Sequence, residues 1–346
     1  MVLYPTFGNW ISIDLFNRLN SFALVTMEEP WKILSPKMEK KPNILIFNQK
    51  MEIEHLENLA NTFDENFTIK NIIGLGGGTA CDTAKFLTWR INQLSKEKIN
   101  LFLIPSIISV DAFLCSSIAV REEGKVKYVG ESHPDEIIID YELIKAAPPY
   151  LNRAGVSDII SIASALGDWK IAREKINEKF DQTIFNHAKR IVVELMNQRD
   201  EIRSVTEKGI RSLVDGFYKE VLLCEEWGNA RPEEGSEHFF AYCLESITHQ
   251  HYVHGSLIGM AILISLYLQG EYAEFSVKEI KDFLKDILLD VSPISKGVTD
   301  EVIIKTLKQV KKFVIKEKFL YSVYNMEELI FDDCKIEEVL KIINGK

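Results

Sequence analysis

The feature that most constrains this chain is a run of three glycines between an apolar segment and a helical pattern. Residues 69–75 are mainly apolar, residues 76–78 are glycines, and residues 79–94 carry apolar side chains at helical spacing. Glycines in such a turn let the backbone approach a phosphate, and the N–H groups that begin the helix attract its charge. The common fingerprint has a glycine where this chain has Thr79, so the motif is a variant. The predicted contacts to a dinucleotide pyrophosphate are Gly76, Gly77, Gly78 and Thr79.

Polar residues near this loop add candidates for cofactor and substrate binding. Asp82 lies in the first turns of the following helix, where it could contact the cofactor or simply complement the helix dipole. Ser106, Ser109 and Asp111 follow the next predicted strand, in the position where loops of parallel-sheet folds cover the site. The serines can donate to phosphate or ribose, and Asp111 can accept a substrate hydroxyl. The alternative is that these residues only cap turns.

Strand-like and helix-like runs alternate across the first half of the chain. The predicted strands are residues 43–47, 69–75, 101–104 and 136–140, with helices at residues 51–62 and 79–94. Such alternation implies βαβ units and a parallel sheet. Residues 117–120 and 125–129 flank a Glu-Glu-Gly turn, which predicts a β-hairpin inserted into this domain.

The pattern changes after Pro148 and Pro149. No strand pattern follows, only amphipathic runs such as residues 185–204 and 302–315. We therefore predict the α/β class, with a dinucleotide-binding parallel-sheet domain at residues 1–149 and an all-helical domain at residues 150–346.

Composition narrows the function class. With 46% hydrophobic and 27% charged residues among 346, the chain has the balance of a globular protein with two domains. Its five cysteines are scattered and form no CxxC pair, which favours reduced thiols and argues against a thiolate zinc site. The net charge of −10 argues against nucleic acid or an anionic membrane as the main partner. Because we see no signal-peptide pattern either, we expect a cytoplasmic protein.

Histidines are unusually concentrated near residue 250. Four of the seven histidines, His238, His249, His251 and His254, fall within seventeen residues. Sixteen positions along one helix rotate a side chain about 160° past a whole number of turns, so His238 and His254 should lie on two helices joined through a turn. An open metal site needs a third ligand, for which Asp158 is a candidate, although it could instead cap a helix. His251 and His254 form a rival metal pair.

Five short motifs, taken in order, carry a resemblance to a known superfamily. They are GGGTxxDxxK at residues 76–85, PSxxSxD at 105–111, AGxxD at 154–158, GSEH at 235–238 and HG at 254–255. Together they resemble glycerol dehydrogenase, sn-glycerol-1-phosphate dehydrogenase, iron-type alcohol dehydrogenases and 3-dehydroquinate synthase. Residues 165–172 and 231–240 look most like glycerol-1-phosphate dehydrogenases, whereas residues 248–255 look more like glycerol dehydrogenases.

The resemblance implies a dehydroquinate synthase-like fold and an NAD- or NADP-dependent dehydrogenase that interconverts glycerol or glycerol 1-phosphate with dihydroxyacetone or its phosphate. It implies a divalent metal, zinc by preference over iron or nickel, on Asp158, His238 and His254. Cofactor contacts would include residues 76–78, Ser106 and Ser109, with Asp111 on the substrate and His251 as a candidate proton relay. A homo-oligomer is also implied.

Two other functions stay open at this point. The first is a lyase of the 3-dehydroquinate synthase kind, which uses the same cofactor and metal but regenerates NAD within each turnover. The second is a cofactor-binding sensor without catalysis. One departure from the family pattern is Cys115, which replaces a serine four residues after Asp111.

Overall fold

The computed structural model describes residues 2–63, 69–94, 98–250 and 252–344. The chain divides into two compact units, Met1–Asn152 and Arg153–Lys346. The strands among the described residues all lie in the first unit. The described part of the second unit contains α-helices, 3-10 helices and the segments that connect them, and no strand.

The first unit is an α/β unit. Its strands are β1 (Thr6–Gly8), β2 (Ala23–Thr26), β3 (Ile44–Phe47), β4 (Asn71–Gly76), β5 (Asn100–Pro105), β6 (Ser117–Glu122), β7 (Lys125–Glu131) and β8 (Glu136–Asp140). Its helices are α1 (Ile11–Arg18), α2 (Glu28–Leu34), α3 (Ile53–Ala60), α4 (Gly78–Leu94) and α5 (Tyr141–Ala146). Six strands form a parallel sheet in the order β1-β8-β5-β4-β2-β3, and β6 pairs with β7 in an antiparallel hairpin. The predicted parallel sheet and inserted hairpin are confirmed.

The sheet order brings two predicted loops side by side. β4 and β5 are neighbours in register, and Gly76 at the end of β4 is paired with Pro105 at the end of β5. The backbone N–H of Ser106 donates to the carbonyl of Gly76 at 2.9 Å. Because the carboxyl ends of parallel strands meet at one edge, the glycine turn and the loop after β5 adjoin each other.

The first forty residues contain a part of the sheet that the sequence patterns did not predict. β2 is entirely buried and lies between β4 and β3, next to the edge of the sheet that β3 forms. β1 pairs with β8 at the other edge. The carboxylate of Asp140, at the end of β8, accepts the N–H groups of Trp10 and Ser12 and caps α5. This buried carboxylate therefore joins the turn after β1 to the end of β8.

The second unit is helical, as predicted. Its helices are α6 (Pro149–Ile160, which begins before the division), α7 (Ile162–Ile176), α8 (Gln182–Met196), α9 (Arg199–Arg203), α10 (Glu207–Trp227), α11 (Ser236–Thr248), α12 (His254–Gln269), α13 (Val277–Asp286), α14 (Asp300–Glu317) and α15 (Asp333–Asn344). The run at residues 185–204 spans two helices, because α8 ends at Met196 and a short turn precedes α9. Over the residues described, none of the helices has both the length and the apolar character needed to cross a bilayer.

The apolar helix α12 forms the centre of this unit. Its residues from Leu257 to Leu266 are all buried, and it packs against α7, α11 and α15. A helix that is apolar on every side must be surrounded by other helices. The position of its first residue, His254, is therefore set by packing along its whole length.

Candidate functional site

Three predicted metal ligands lie together in the second unit. Asp158 is near the end of α6, His238 is in the first turn of α11, and His254 begins α12. The Oδ1 atom of Asp158 lies 3.4 Å from Nε2 of His238 and 3.2 Å from Nε2 of His254. One donor atom from each residue lies within 4.8 Å of the others. As the spacing predicted, the two histidines come from two consecutive helices.

The spacing of these atoms fits a small divalent cation. Zinc bound to nitrogen or oxygen at about 2.0–2.1 Å in tetrahedral geometry places neighbouring donors about 3.4 Å apart. The two distances from Asp158 agree with that value. One carboxylate and two imidazoles also leave a coordination position open, as catalytic sites require. Aspartate and histidine ligands are also compatible with iron or nickel.

Electrostatics in the cluster also favour a cation. Burial raises the pKa of Asp158, but the adjacent imidazoles of His254 and His238 outweigh this and lower it overall. Burial lowers the pKa of His238, but hydrogen bonds to Asp158 and Glu237 outweigh burial and raise it well above its ordinary value. The pocket therefore stabilises positive charge beside a carboxylate, whether that charge is a proton or a metal ion.

Two glycines explain how α12 reaches this position. A Cβ at Gly255 would overlap the backbone carbonyl oxygen of Ala154 on α6. A Cβ at Gly259, one turn later, would lie 2.7 Å from the hydroxyl of Ser157. Because neither glycine has a side chain, α12 lies directly against α6, and His254 is brought next to Asp158.

Three acidic residues beside this cluster, of which Glu237 and Asp168 are buried, were not predicted. Glu237 contacts the ring of His238, and Asp168 holds the start of α11 by accepting the N–H of Ser236 at 2.6 Å. Burial and the charge of Glu237 raise the pKa of Asp168 to about 6. Burial likewise raises the pKa of Glu234. For Glu234 and Glu237 the sequence signal is the concentration of acidic residues just before His238, whereas Asp168 lies in α7 and has no such signal.

The glycine turn of the first unit packs closely against its own helix. A Cβ at Gly74 would lie 2.9 Å from the Cβ of Ala84, and a Cβ at Gly76 would lie 2.7 Å from the Cβ of Ala80. Gly78 begins α4, whose first N–H groups have no carbonyl partners within the helix. Gly77, Gly78 and Thr79 are partly exposed at this helix start, and their predicted contact with a pyrophosphate stays a prediction.

Asp82 faces a buried lysine. Its Oδ1 atom lies 2.7 Å from Nζ of Lys85, whose side chain is 1% exposed. Lys85 also donates to the carbonyls of Cys115 and Ser117, at 3.0 and 2.7 Å. The pair links α4 to the end of the loop that contains Asp111. In this arrangement Asp82 supports the loop, and its predicted contact with the cofactor stays a prediction.

The loop after β5 carries the other predicted residues. Ser106 is buried and Ser109 is partly exposed. Asp111 begins a short 3-10 helix, and its carboxylate accepts a hydrogen bond from the thiol of Cys115. Cys115 thus contacts the carboxylate from the position where the family has a serine.

Asn152 anchors this loop, which leads to a testable prediction. The side chain of Asn152 is 1% exposed, accepts the N–H of Ile108 at 2.9 Å and donates to the carbonyl of Ile144 at 3.0 Å. We expect Asn152→Ala to lower the free energy of unfolding by about 2 kcal/mol, because two buried backbone groups lose their partners. The loop should also lose its position, so the Kd for NADH, measured by fluorescence titration, should rise.

A matched control distinguishes loop position from lost stability. Asn92 makes the same kind of bond to another loop, accepting the N–H of Ile99 at 2.7 Å. Asn92→Ala should reduce stability in chemical unfolding but leave the Kd for NADH unchanged. Equal weakening of NADH binding in both variants would contradict the anchoring role of Asn152.

His251, the candidate proton relay and a member of the rival metal pair, lies outside the described residues. His249, which follows α11 as its C-cap in the left-handed conformation at φ 53°, is described. The relay role of His251 therefore stays a prediction.

Comparisons with known proteins agree with this architecture. The family model for iron-containing alcohol dehydrogenase matches residues 25–148. A probable glycerol dehydrogenase from Sinorhizobium meliloti has a TM-score of 0.72, with 99% of this chain and 96% of that chain covered at 15% identity. A 2-epi-5-epi-valiolone synthase from Streptomyces hygroscopicus, solved with NAD⁺ and Zn²⁺ bound, has a TM-score of 0.67, covering 100% and 98% at 14% identity. These likenesses confirm the predicted fold class.

Sequence similarity places the chain more narrowly. A protein of Thermoplasma volcanium named glycerol-1-phosphate dehydrogenase (NAD(P)⁺) is 30% identical over 267 residues, which are 77% of this chain and 72% of the relative. The resemblance found in the five motifs is thereby confirmed. The chain belongs to the glycerol-1-phosphate dehydrogenase family of iron-containing alcohol dehydrogenases.

Proposed function

We propose that this protein is an NAD(P)- and metal-dependent dehydrogenase that interconverts sn-glycerol 1-phosphate and dihydroxyacetone phosphate. The observation that carries the proposal is the meeting of Asp158, His238 and His254 in a chain of this family. The relatives' printed name supports both the phosphorylated polyol and the use of NAD(P). Glycerol itself is the alternative substrate.

The proposal assigns a task to each part of the second unit. Asp158, His238 and His254 would hold a divalent cation, which acts as a Lewis acid toward the oxygen of an alcohol or ketone. Asp158 is buried and bonded to both imidazoles, so it keeps their Nε2 atoms directed to one point. Glu237, which precedes His238 in α11, contacts the other ring nitrogen of His238, Nδ1.

In the first unit, the residues of the two adjoining loops would bind the dinucleotide. NAD(P) supplies the hydride acceptor of the reaction. Gly76, Gly77, Gly78 and Thr79 would bind the pyrophosphate through backbone amides, and Ser106 and Ser109 would donate hydrogen bonds. We assign Asp111 to the substrate hydroxyls. The assignment of dinucleotide binding to residues 1–149 and of metal binding to residues 150–346 follows from these roles.

The spacing of the three donor atoms decides which metal ion we propose. Zinc is our preferred ion because it accepts the tetrahedral spacing of the three donors.

Asn48, at the end of β3, bonds to Lys50, His55 and Thr83 and brings no negative charge that would repel a 2′-phosphate. The proposal therefore includes both NAD and NADP. We also propose a cytoplasmic homo-oligomer without a nucleic-acid or membrane partner.

An absorbance assay tests the proposed function. Zinc-loaded protein should reduce NAD(P)⁺ with glycerol 1-phosphate faster than with glycerol, and should oxidise NADH with dihydroxyacetone phosphate. A chelator should abolish turnover while NADH still binds, because the dinucleotide and the metal are held by different residues. Full activity in chelator would remove the metal from the mechanism. Absence of net NADH formation with every polyol would instead favour a lyase with internal redox.

A further inference from the structure

A buried carboxylate lies directly behind one of the metal-ligand candidates. Oε1 of Glu237 is 2.9 Å from Nδ1 of His238, and the side chain of Glu237 is fully buried. A carboxylate only accepts hydrogen bonds, so Nδ1 must carry the proton in this contact. In the neutral ring the lone pair is then on Nε2, the atom that faces Asp158.

From this geometry we propose that Glu237 is the positioning residue that orients His238 for the metal ion. The proposal rests on the proposed function, since it assumes that Asp158, His238 and His254 hold a cation. Glu237 fixes the orientation of the imidazole and determines which ring nitrogen carries the proton. Its negative charge also makes Nε2 a stronger ligand for the metal ion. A partner of this kind typically changes metal affinity by about 10- to 100-fold.

Glu237 is itself held rigidly, as a positioning residue must be. Besides contacting His238, its Oε1 atom accepts the N–H of Gly235 at 2.7 Å. Its other oxygen accepts the hydroxyl of Ser164 on α7 at 2.6 Å. Both oxygens are therefore bonded on the protein side, and the carboxylate cannot rotate without breaking a buried hydrogen bond.

The carboxylates of Asp168 and Glu237 both lie against the turn before α11, but Glu237 is the one that contacts His238. A Cβ at Gly235 would lie 2.5 Å from Oδ2 of Asp168 and 3.2 Å from Oε2 of Glu237. Only glycine lets both acids approach this backbone. Asp168 accepts the N–H groups of Ser236 and Val323, at 2.6 and 2.8 Å. Asp168 thus stabilises the start of the helix, while Glu237 acts on the ligand.

This division between the two acids gives a matched set of variants. Glu237→Gln keeps an oxygen for the Nδ1–H but removes the charge, whereas Glu237→Ala removes both. Asp168→Asn disturbs the same turn without touching His238. We expect the Kd for zinc, measured by competition with a chromogenic chelator, to rise about tenfold in Glu237→Gln and about 100-fold in Glu237→Ala. In Asp168→Asn it should stay within about threefold while thermal stability falls.

A spectroscopic measurement reports the proton directly. In zinc-loaded protein with ¹⁵N-labelled histidine, the hydrogen-bonded Nδ1–H of His238 should give a downfield proton resonance that Glu237→Ala loses and Asp168→Asn keeps. Wild-type zinc affinity in both Glu237 variants would overturn the proposal, as would an equal loss in Asp168→Asn and Glu237→Ala. Neither measurement uses substrate or dinucleotide. Wild-type protein that binds zinc but does not oxidise glycerol 1-phosphate would contradict the proposed function alone.

Discussion

Asp158→Asn is expected to reduce kcat/KM by at least about 1,000-fold, or about 4 kcal/mol of transition-state stabilisation. The carboxylate of Asp158 contacts both imidazoles and would be the only anionic ligand of the ion. An amide of the same shape has no charge, so even with its oxygen in the place of Oδ1 it is a much weaker ligand for a cation. Metal content should fall together with activity, as measured by mass spectrometry of the purified protein and by the NADH assay.

An exposed aspartate provides the control for this experiment. Asp200 lies at the surface on α9, and Asp200→Asn removes the same charge from the chain without touching the cluster. This variant should retain both metal and activity. An Asp158→Asn protein within tenfold of wild-type activity would show that the cluster is not the catalytic metal site.

Gly255→Ala should have a comparable effect although it changes no ligand. The added methyl group would overlap the carbonyl oxygen of Ala154, which is backbone and cannot rotate away. The start of α12 must therefore move from α6, and His254 must move with it. Displacement of a catalytic group by about 1 Å can cost about 100-fold in rate. We expect loss of zinc affinity and at least that loss in kcat/KM.

Gly259→Ala is the comparison variant, for which we expect a smaller effect on zinc affinity than for Gly255→Ala. Its methyl group would approach only the side chains of Val291 and Ser157, at 2.6 and 2.7 Å, which can adjust. Alanine also favours a helix over glycine by up to about 1 kcal/mol, which offsets part of the cost. The zinc affinity of Gly259→Ala should therefore fall much less. Equal behaviour of the two variants would mean that the contact with the Ala154 carbonyl does not position His254.

Residue patterns predicted the parts of the fold that have strong local signals. The apolar run at 69–75 and the glycines after it predicted β4 and the start of α4. The apolar run at 136–140 predicted β8. β2, which lies between β4 and the edge strand β3, was not predicted. Its place depends on pairing with β3 and β4, which no local pattern encodes.

The site could be predicted in part, for a similar reason. The sixteen-residue spacing of His238 and His254 predicted two helices, and the structure has these residues on α11 and α12. The supporting residues were missed, since Asp168 is distant in sequence and its role depends on where α7 passes α11. Gly255 and Gly259 did carry a local signal. Two glycines four residues apart lie on one face of a helix and suggest close approach by a neighbour.

The pairing of β1 with β8 has a consequence for synthesis of the chain. The N–H of Trp10, in the turn after β1, is bonded to Asp140, which is synthesised 130 residues later. At about 5–20 residues per second the ribosome takes roughly 7 to 26 s to deliver that partner. Throughout this time the nascent β1 has an unpaired backbone, and the sheet lacks its final edge. Cotranslational folding of the first unit should therefore finish only after residue 140 has left the exit tunnel, and chaperones that bind extended segments would find β1 available until then.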